Sequence, residues 1–168
     1  MKRVAVIFLG LLLIFCVACG ESGGFPSGTT CEQILNAAKS AQSYENSVTY
    51  IKDKSNMDVY TMAMWADGVF AECEEFELIS DYAICYSNDN TTYEISVLKA
   101  KSKDDVAKIV SLFERRKQTL EGGTKAAYDS NFKKLMQGSK IETCGEFVML
   151  LITNDNDTVI NAIEKIKQ

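Results

Sequence analysis

Apolar and polar residues divide the chain into a leader, a spacer and a folded body. Val4 to Ala18 is an apolar run broken only by Gly10, and Lys2 and Arg3 stand in front of it. The run is shorter than the roughly twenty residues that a membrane-spanning helix needs. With its basic start and the small residue at its end, it reads as a secretory signal peptide over residues 1–18. Gly20 to Thr30 is rich in Gly and Ser and holds Pro26, the one proline of the chain. That composition predicts a flexible tether over residues 19–30, and residues 31–168 then read as one domain.

Inside the body the apolar period changes from element to element. Thr30 and Gln33 form a capping-box pattern ahead of Ile34, Leu35, Ala38 and Ala41 at helical spacing. Tyr44 to Lys54 is ambiguous, with Val48 and Tyr50 compatible with a short strand. Met57, Tyr60, Met64 and Ala71 make a helical stripe that Asp67-Gly68 ends or bends. Tyr82 to Ser87 and Thr92 to Ala100 read as two strands about an Asn88-Asp89-Asn90 turn. In the second strand Tyr93, Ile95 and Val97 share one face, and Glu94 and Ser96 share the other. Ser102, with Asp105 three residues on, predicts a capped helix. Val106, Ile109, Val110, Phe113 and Leu120 line its apolar side, Lys108, Glu114, Arg115 and Arg116 point outward, and Gly122-Gly123 stops it. Tyr128, Phe132, Leu135 and Met136 suggest a short helical connector. Lys140 to Cys144 and Glu146 to Thr153 predict a second hairpin about Gly145, and Val159, Ile160, Ile163 and Ile166 line a closing helix.

The two stretches strand–strand–helix form a weak internal repeat. The economical architecture is α+β: a four-stranded antiparallel sheet from two β-β-α halves, with two helices on one face and N-terminal helices besides. Phe147 to Ile152 is apolar throughout, so this strand should be buried on both faces. The helices at 31–42 and 57–67, or a partner protein, would cover the second face.

Chemistry enters at Cys19. The segment Cys16-Val17-Ala18-Cys19 resembles a bacterial lipobox, in which the last cysteine is acylated and becomes the mature N-terminus. Ala18 and Cys19 fit that pattern, whereas Cys16 stands where an aliphatic residue is usual. Plain signal-peptidase cleavage after Ala18, giving a secreted protein, is the alternative. Removing Lys2 and Arg3 from the 18 basic residues leaves 16 against 23 acidic ones, a net charge near −7. An acidic body without a basic run excludes nucleic acid as a partner class. It should also stand off from an anionic bilayer to which a lipid ties it.

The chain has no histidine, which removes Ser-His-Asp and Cys-His nucleophile activation and histidine-based zinc sites. Cys31, Cys73, Cys85 and Cys144 are candidate disulfide cysteines whose pairing the sequence leaves open, with buried free thiols as the other reading. Their spacing lacks the C-x-x-C knuckles of a zinc site, and no cofactor or metal is expected. Glu72, Glu74, Glu75 and Glu77 lack the alternating oxygen pattern of a calcium loop and read as a solvated turn. Asn88-Asp89-Asn90 and Asn154-Asp155-Asn156-Asp157 lack a calcium loop's glycine and terminal glutamate, and suit a turn and a helix cap. Asn90-Thr91-Thr92 and Asn156-Asp157-Thr158 match the glycosylation acceptor pattern, which a bacterial lipoprotein rarely uses. The Met57–Met64 stripe and Trp65 beside Tyr60 could form a ligand groove or stack on a sugar ring, although such stripes are usually core.

Several segments together carry a family resemblance. They are Asp81-Tyr82-Ala83-Ile84, Glu94-Ile95-Ser96-Val97-Leu98-Lys99-Ala100, Arg116-x-Gln118, Tyr128 and Gly145-Glu146-Phe147-Val148-Met149-Leu150. From about Ile34 to Ile166 the chain resembles the bacterial lipoproteins grouped as domain-of-unknown-function family 4358. It departs from them by lacking the usual connector proline and by its extra cysteines. The resemblance implies a lipid-anchored extracytoplasmic α+β domain of Gram-positive bacteria, palmitate-type acylation at Cys19, and no assigned activity. The functional expectation is a non-enzymatic binding module of the cell envelope, held to the outer face of the membrane by its lipid and recognising an envelope protein or small ligand. A small enzyme using carboxylates on cell-wall material is the alternative, and it requires two acidic groups converging in a cleft. A thiol-redox role is a weaker third.

Overall fold

The computed structural model describes residues 24–42, 47–87, 93–123 and 129–167. The signal segment and Cys19 lie outside the described residues, as do Asn88-Asp89-Asn90, the first acceptor pattern at Asn90 and Tyr128. Five strands form one sheet: β1 (Ser47–Ile51), β2 (Ile79–Ser87), β3 (Glu94–Ala100), β4 (Lys140–Cys144) and β5 (Phe147–Ile152). Their order is β1-β2-β3-β5-β4, and every neighbouring pair is antiparallel. The expected four strands are therefore present, and the ambiguous segment before Lys52 adds a fifth at one edge. Tyr50 pairs with Ile84, Ile84 with Ser96, Ser96 with Leu150 and Leu150 with Ile141, which fixes one continuous row across the sheet.

Among the described residues five α-helices flank the sheet: α1 (Cys31–Ser40), α2 (Val59–Asp67), α3 (Val106–Gly122), α4 (Ser130–Gly138) and α5 (Asn156–Glu164). Local chemistry accounts for their ends. Thr30 and Gln33 satisfy each other's backbone N–H in a full capping box at the start of α1. Asp58 accepts from the Thr61 N–H at the start of α2, and Gly68 ends that helix with φ 69°, a left-handed position where glycine is unstrained. At the start of α3 the expected cap is not formed. Ser102 Oγ instead donates to Asp105 Oδ2 at 2.6 Å, a short 3₁₀ turn covers Lys103–Asp105, and the α-helix begins at Val106.

The arrangement of helices about the sheet corrects the expectation of two on one face. α1 and α5 cover the face carrying Ala83, Cys85, Ile95, Val97, Phe147, Met149 and Leu151. α2, α3 and α4 cover the face carrying Ile79, Tyr82, Ile84, Leu98, Ala100, Val148, Leu150 and Ile152. The helices of the two β-β-α halves thus lie on opposite sides. The physical reason is visible in β3 and β5, which present buried apolar residues to both sides, with all six residues of β5 buried. Helices on one side alone would leave half of those residues in water, at a cost of about 25 cal/mol per Å² of apolar surface. The result is a three-layer α/β/α sandwich on an antiparallel sheet.

Candidate functional site

The surface that departs from ordinary packing lies where α2 and the chain after it meet the ends of β1, β2 and α3. Tyr50, Asp58, Tyr60, Thr61, Met64, Trp65, Phe70, Tyr86 and Arg116 line a cleft of about 400 Å³, within the size range of small-ligand pockets. β1 and β2 set Tyr50 and Tyr86 side by side, with ring centroids 6.3 Å apart and planes at 23°. The stripe of α2 divides between two tasks. Met62, Ala63, Trp65 and Ala66 are buried, whereas Tyr60 and Met64 turn outward. Past the turn at Gly68, Phe70 folds back to stack on Tyr60 at 5.0 Å and 14°. Among the described residues the exposed large hydrophobics are Tyr60 at 37%, Met64 at 48%, Val69 at 51% and Phe70 at 78%. All four come from this one stretch, where three of them line the cleft and Val69 adjoins Phe70.

The floor holds a buried ion pair. Arg116 Nη2 and Nε donate to Glu94 Oε2 at 2.7 and 3.0 Å, and Nη1 donates to the Trp65 carbonyl at 2.7 Å. Only 11% of the Arg116 side chain and 2% of that of Glu94 are exposed. Ser96 Oγ donates to the other carboxylate oxygen, Glu94 Oε1, at 2.7 Å. The guanidinium also lies 5.4 Å from the Trp65 ring and 5.8 Å from that of Tyr86, close enough for cation–π attraction. Arg116 was expected on the solvent face of its helix, and the structure corrects this: it reaches under α2 to a carboxylate that helical periodicity could not locate. Glu94 and Ser96 do share a face, as alternation indicates, but that face is interior.

Electrostatics around the cleft follow from these contacts. Burial, then the hydrogen bond and charge of Tyr50, push the Tyr86 hydroxyl up to about 12. Glu72 accepts from the Tyr60 hydroxyl at 2.9 Å and raises its pKa. The Thr61 N–H holds the Asp58 carboxyl below the usual carboxylate range. Trp65 is 5% exposed, and its Nε1–H is buried without an acceptor among the described residues. A second hollow of about 660 Å³ lies between α4 and the start of α5. Its polar groups are largely engaged: Asn156 with Thr153 and the Gly138 carbonyl, Asp155 with Thr158, and Asp157 with Lys140.

Cys31, Cys73, Cys85 and Cys144 are all buried and free. Cys31, Cys85 and Cys144 share the core under α1 and α5, and Cys73 lies in the other. Burial and the Asp81 carboxylate raise the Cys31 thiol far above its ordinary value, and burial with the Glu75 hydrogen bond pushes Cys73 up to about 11. These thiols stay protonated near neutral pH, the opposite of an activated nucleophile. Of the glutamate cluster, Glu75 pairs with Arg115 and Glu72 with Tyr60. Asn154-Asp155-Asn156-Asp157 serves as the cap of α5. Among the described residues no group of three or more Cys, Asp or Glu side chains is placed to hold a metal ion. The converging carboxylates of the enzyme alternative have no counterpart at the cleft among the described residues. Asp58 is a helix cap and Glu94 is locked to Arg116 and Ser96.

The fold and cleft together define a three-layer α+β domain with a ligand-sized aromatic hollow at one end of its sheet. Residues 75–153 match the family model described as a domain of unknown function, DUF4358, which supports that domain family for the segment from the turn before β2 through β5. No curated protein and no solved structure matches the chain. The matched segment contributes Tyr86 and Arg116 to the cleft and Glu94 beneath it, whereas Tyr50 and the whole Asp58–Phe70 wall lie before it.

Proposed function

We propose that the protein is a lipid-anchored, extracytoplasmic module of the cell envelope that binds a ligand in the Tyr60–Phe70–Arg116 cleft without transforming it. The leader, the Ala18-Cys19 junction and the Gly/Ser-rich spacer support anchoring on the outer face of the membrane. Among the described residues no helix is long and apolar enough to cross a membrane, so the lipid on Cys19 would supply the attachment. The observation that carries the binding reading is the gathering of the exposed large hydrophobics at one cleft, since contiguous exposed apolar surface marks interaction sites.

Two measurements test the two halves of this reading. Labelled palmitate should enter the full chain in the producing cell and be lost in Cys19→Ser; equal labelling of both would refute the anchor. A photo-reactive phenylalanine analogue at position 70 should trap an envelope component in intact cells, whereas the same analogue at Asn36, exposed on α1 across the sheet, should not. No adduct at either position, or equal adducts at both, would end the binding reading.

A further inference from the structure

Resting on that binding reading, we propose that the occupant of the cleft is a neutral carbohydrate: one ring of a glycan chain laid on Phe70, its oxygens meeting the donors of the floor. Charge removes the other chemical classes in turn. Arg116 is balanced by Glu94 at 2.7 Å, and the carboxylate near the rim, Asp58, is held ionised by its cap bond. An anion would therefore meet net negative surroundings. A cation would compete with Arg116, which already lies over the Trp65 and Tyr86 rings. A wholly apolar ligand would leave donors unmet. Arg116 makes three hydrogen bonds, so two of the five N–H groups of a guanidinium have no protein acceptor among the described residues. The Trp65 Nε1–H also lacks a protein acceptor among the described residues, but the atom is itself sealed from solvent, so the donors offered to a ligand are those of Arg116. An occupant that shuts such donors off from water without accepting from them costs free energy.

A neutral ligand rich in acceptor oxygens meets these conditions, and the aromatic geometry specifies its shape. The Tyr60–Phe70 pair offers an open, one-sided platform, with Phe70 78% exposed. A sugar ring presents an apolar C–H face to such a platform and oxygens around its rim. A flat nucleobase is better served by a slot closed on two sides. A hollow of about 400 Å³ suits a ring-sized unit rather than an extended peptide.

The chain reports on its own cleft, because Trp65 is its single tryptophan. The full chain, in detergent, is titrated with neutral oligosaccharides of glucose and of N-acetylglucosamine, and in parallel with choline, adenosine and a proline-rich peptide, following Trp65 emission. At least one oligosaccharide should give a saturable change that Phe70→Ala weakens roughly tenfold or more, as loss of an aromatic anchor does. Phe70 is too exposed for that variant to threaten folding, and unchanged circular dichroism checks it. Three outcomes overturn the carbohydrate assignment: no saturable change with any oligosaccharide, one that Phe70→Ala leaves intact, or saturation only by choline, adenosine or the peptide. The last would leave the binding reading standing, whereas absence of cross-linking at position 70 would remove both.

Discussion

The two faces of the sheet are built to different rules. Toward α1 and α5 the central positions Ala83, Cys85, Ile95, Val97, Met149 and Leu151 are apolar or cysteine, and they meet Ile34, Leu35, Val159 and Ile163 in a dry layer. Toward α2 and α3 the same strands bury Glu94 and Ser96, import the guanidinium of Arg116 and leave a hollow rimmed by exposed aromatics. One layer follows the rule that interiors are apolar and filled. The other breaks that rule at one end only, where Ile109, Leu112 and Phe113 give way to the ion pair. A buried ion pair is weak evidence for stability, because desolvation offsets much of its attraction. Among the described residues a buried ion pair occurs on the cleft face, where desolvation rather than packing sets its worth.

The sharpest way to break this comparison is Arg116→Ala. It strands Glu94 in the interior without its partner and should cost about 3–5 kcal/mol, read as a lower denaturation midpoint at unchanged slope. It should also shift Trp65 emission, since the guanidinium contacts both the ring and the carbonyl of that residue. Replacing Glu94 by Gln and Arg116 by Met together should recover most of the stability without recovering ligand response. A cost below about 1 kcal/mol for Arg116→Ala would match a solvated pair and erase the distinction between the faces. On the dry side, Leu151→Ala opens a cavity in a fully buried site and should cost about 3 kcal/mol. Trp65 lies across the sheet, so its folded-state emission should stay at the parental wavelength; a shift would show that the two layers are coupled.

The sequence made some of this legible and hid the rest for identifiable reasons. Hairpins, caps at Thr30 and Asp155, and the double burial of Phe147–Ile152 were readable because each depends on residues close together in the chain. The side chosen by each helix was not, since periodicity says that a helix has an apolar stripe without saying which face of a sheet will receive it. The cleft was half visible: Trp65, Tyr60 and the methionines stood out as a stripe that could be core or groove, and the structure divides them between both. Helical periodicity puts Arg116 on the polar side of its helix, while Glu94 lies 22 positions away. No local pattern joins them; an acidic residue at an otherwise apolar strand position was the one available signal.

Smaller perturbations test whether the dry layer acts on the cleft at all. Thr30→Ala removes one half of the capping box at α1 and should cost about 1 kcal/mol, while ligand response and Trp65 emission stay parental in the folded protein. A weakened response would mean that α1, which packs on the opposite face of the sheet, still governs the cleft through the sheet.

The smallest expected effect concerns the cleft side's outer ion cluster. Arg115 bridges Asp67 at 2.9 Å and Glu75 at 2.9 Å, tying α3 to the end of α2 and to the turn before β2. The Arg115 hydrogen bonds hold the Glu75 carboxyl below its ordinary value of 4.5. A carboxyl lowered in the folded state stabilises the fold fully above its unfolded pKa, and that contribution disappears as pH falls through the lower folded value. Acidification from about pH 5 should therefore destabilise the parent more than Glu75→Gln, the two curves converging at low pH and separating by no more than about 1 kcal/mol near neutrality, as partly exposed pairs do. Denaturation midpoints at several pH values measure this. Parallel curves would mean that Arg115 stays bound to Asp67 alone and that the turn carrying Glu75 is held by Phe76 and Leu78 packing instead.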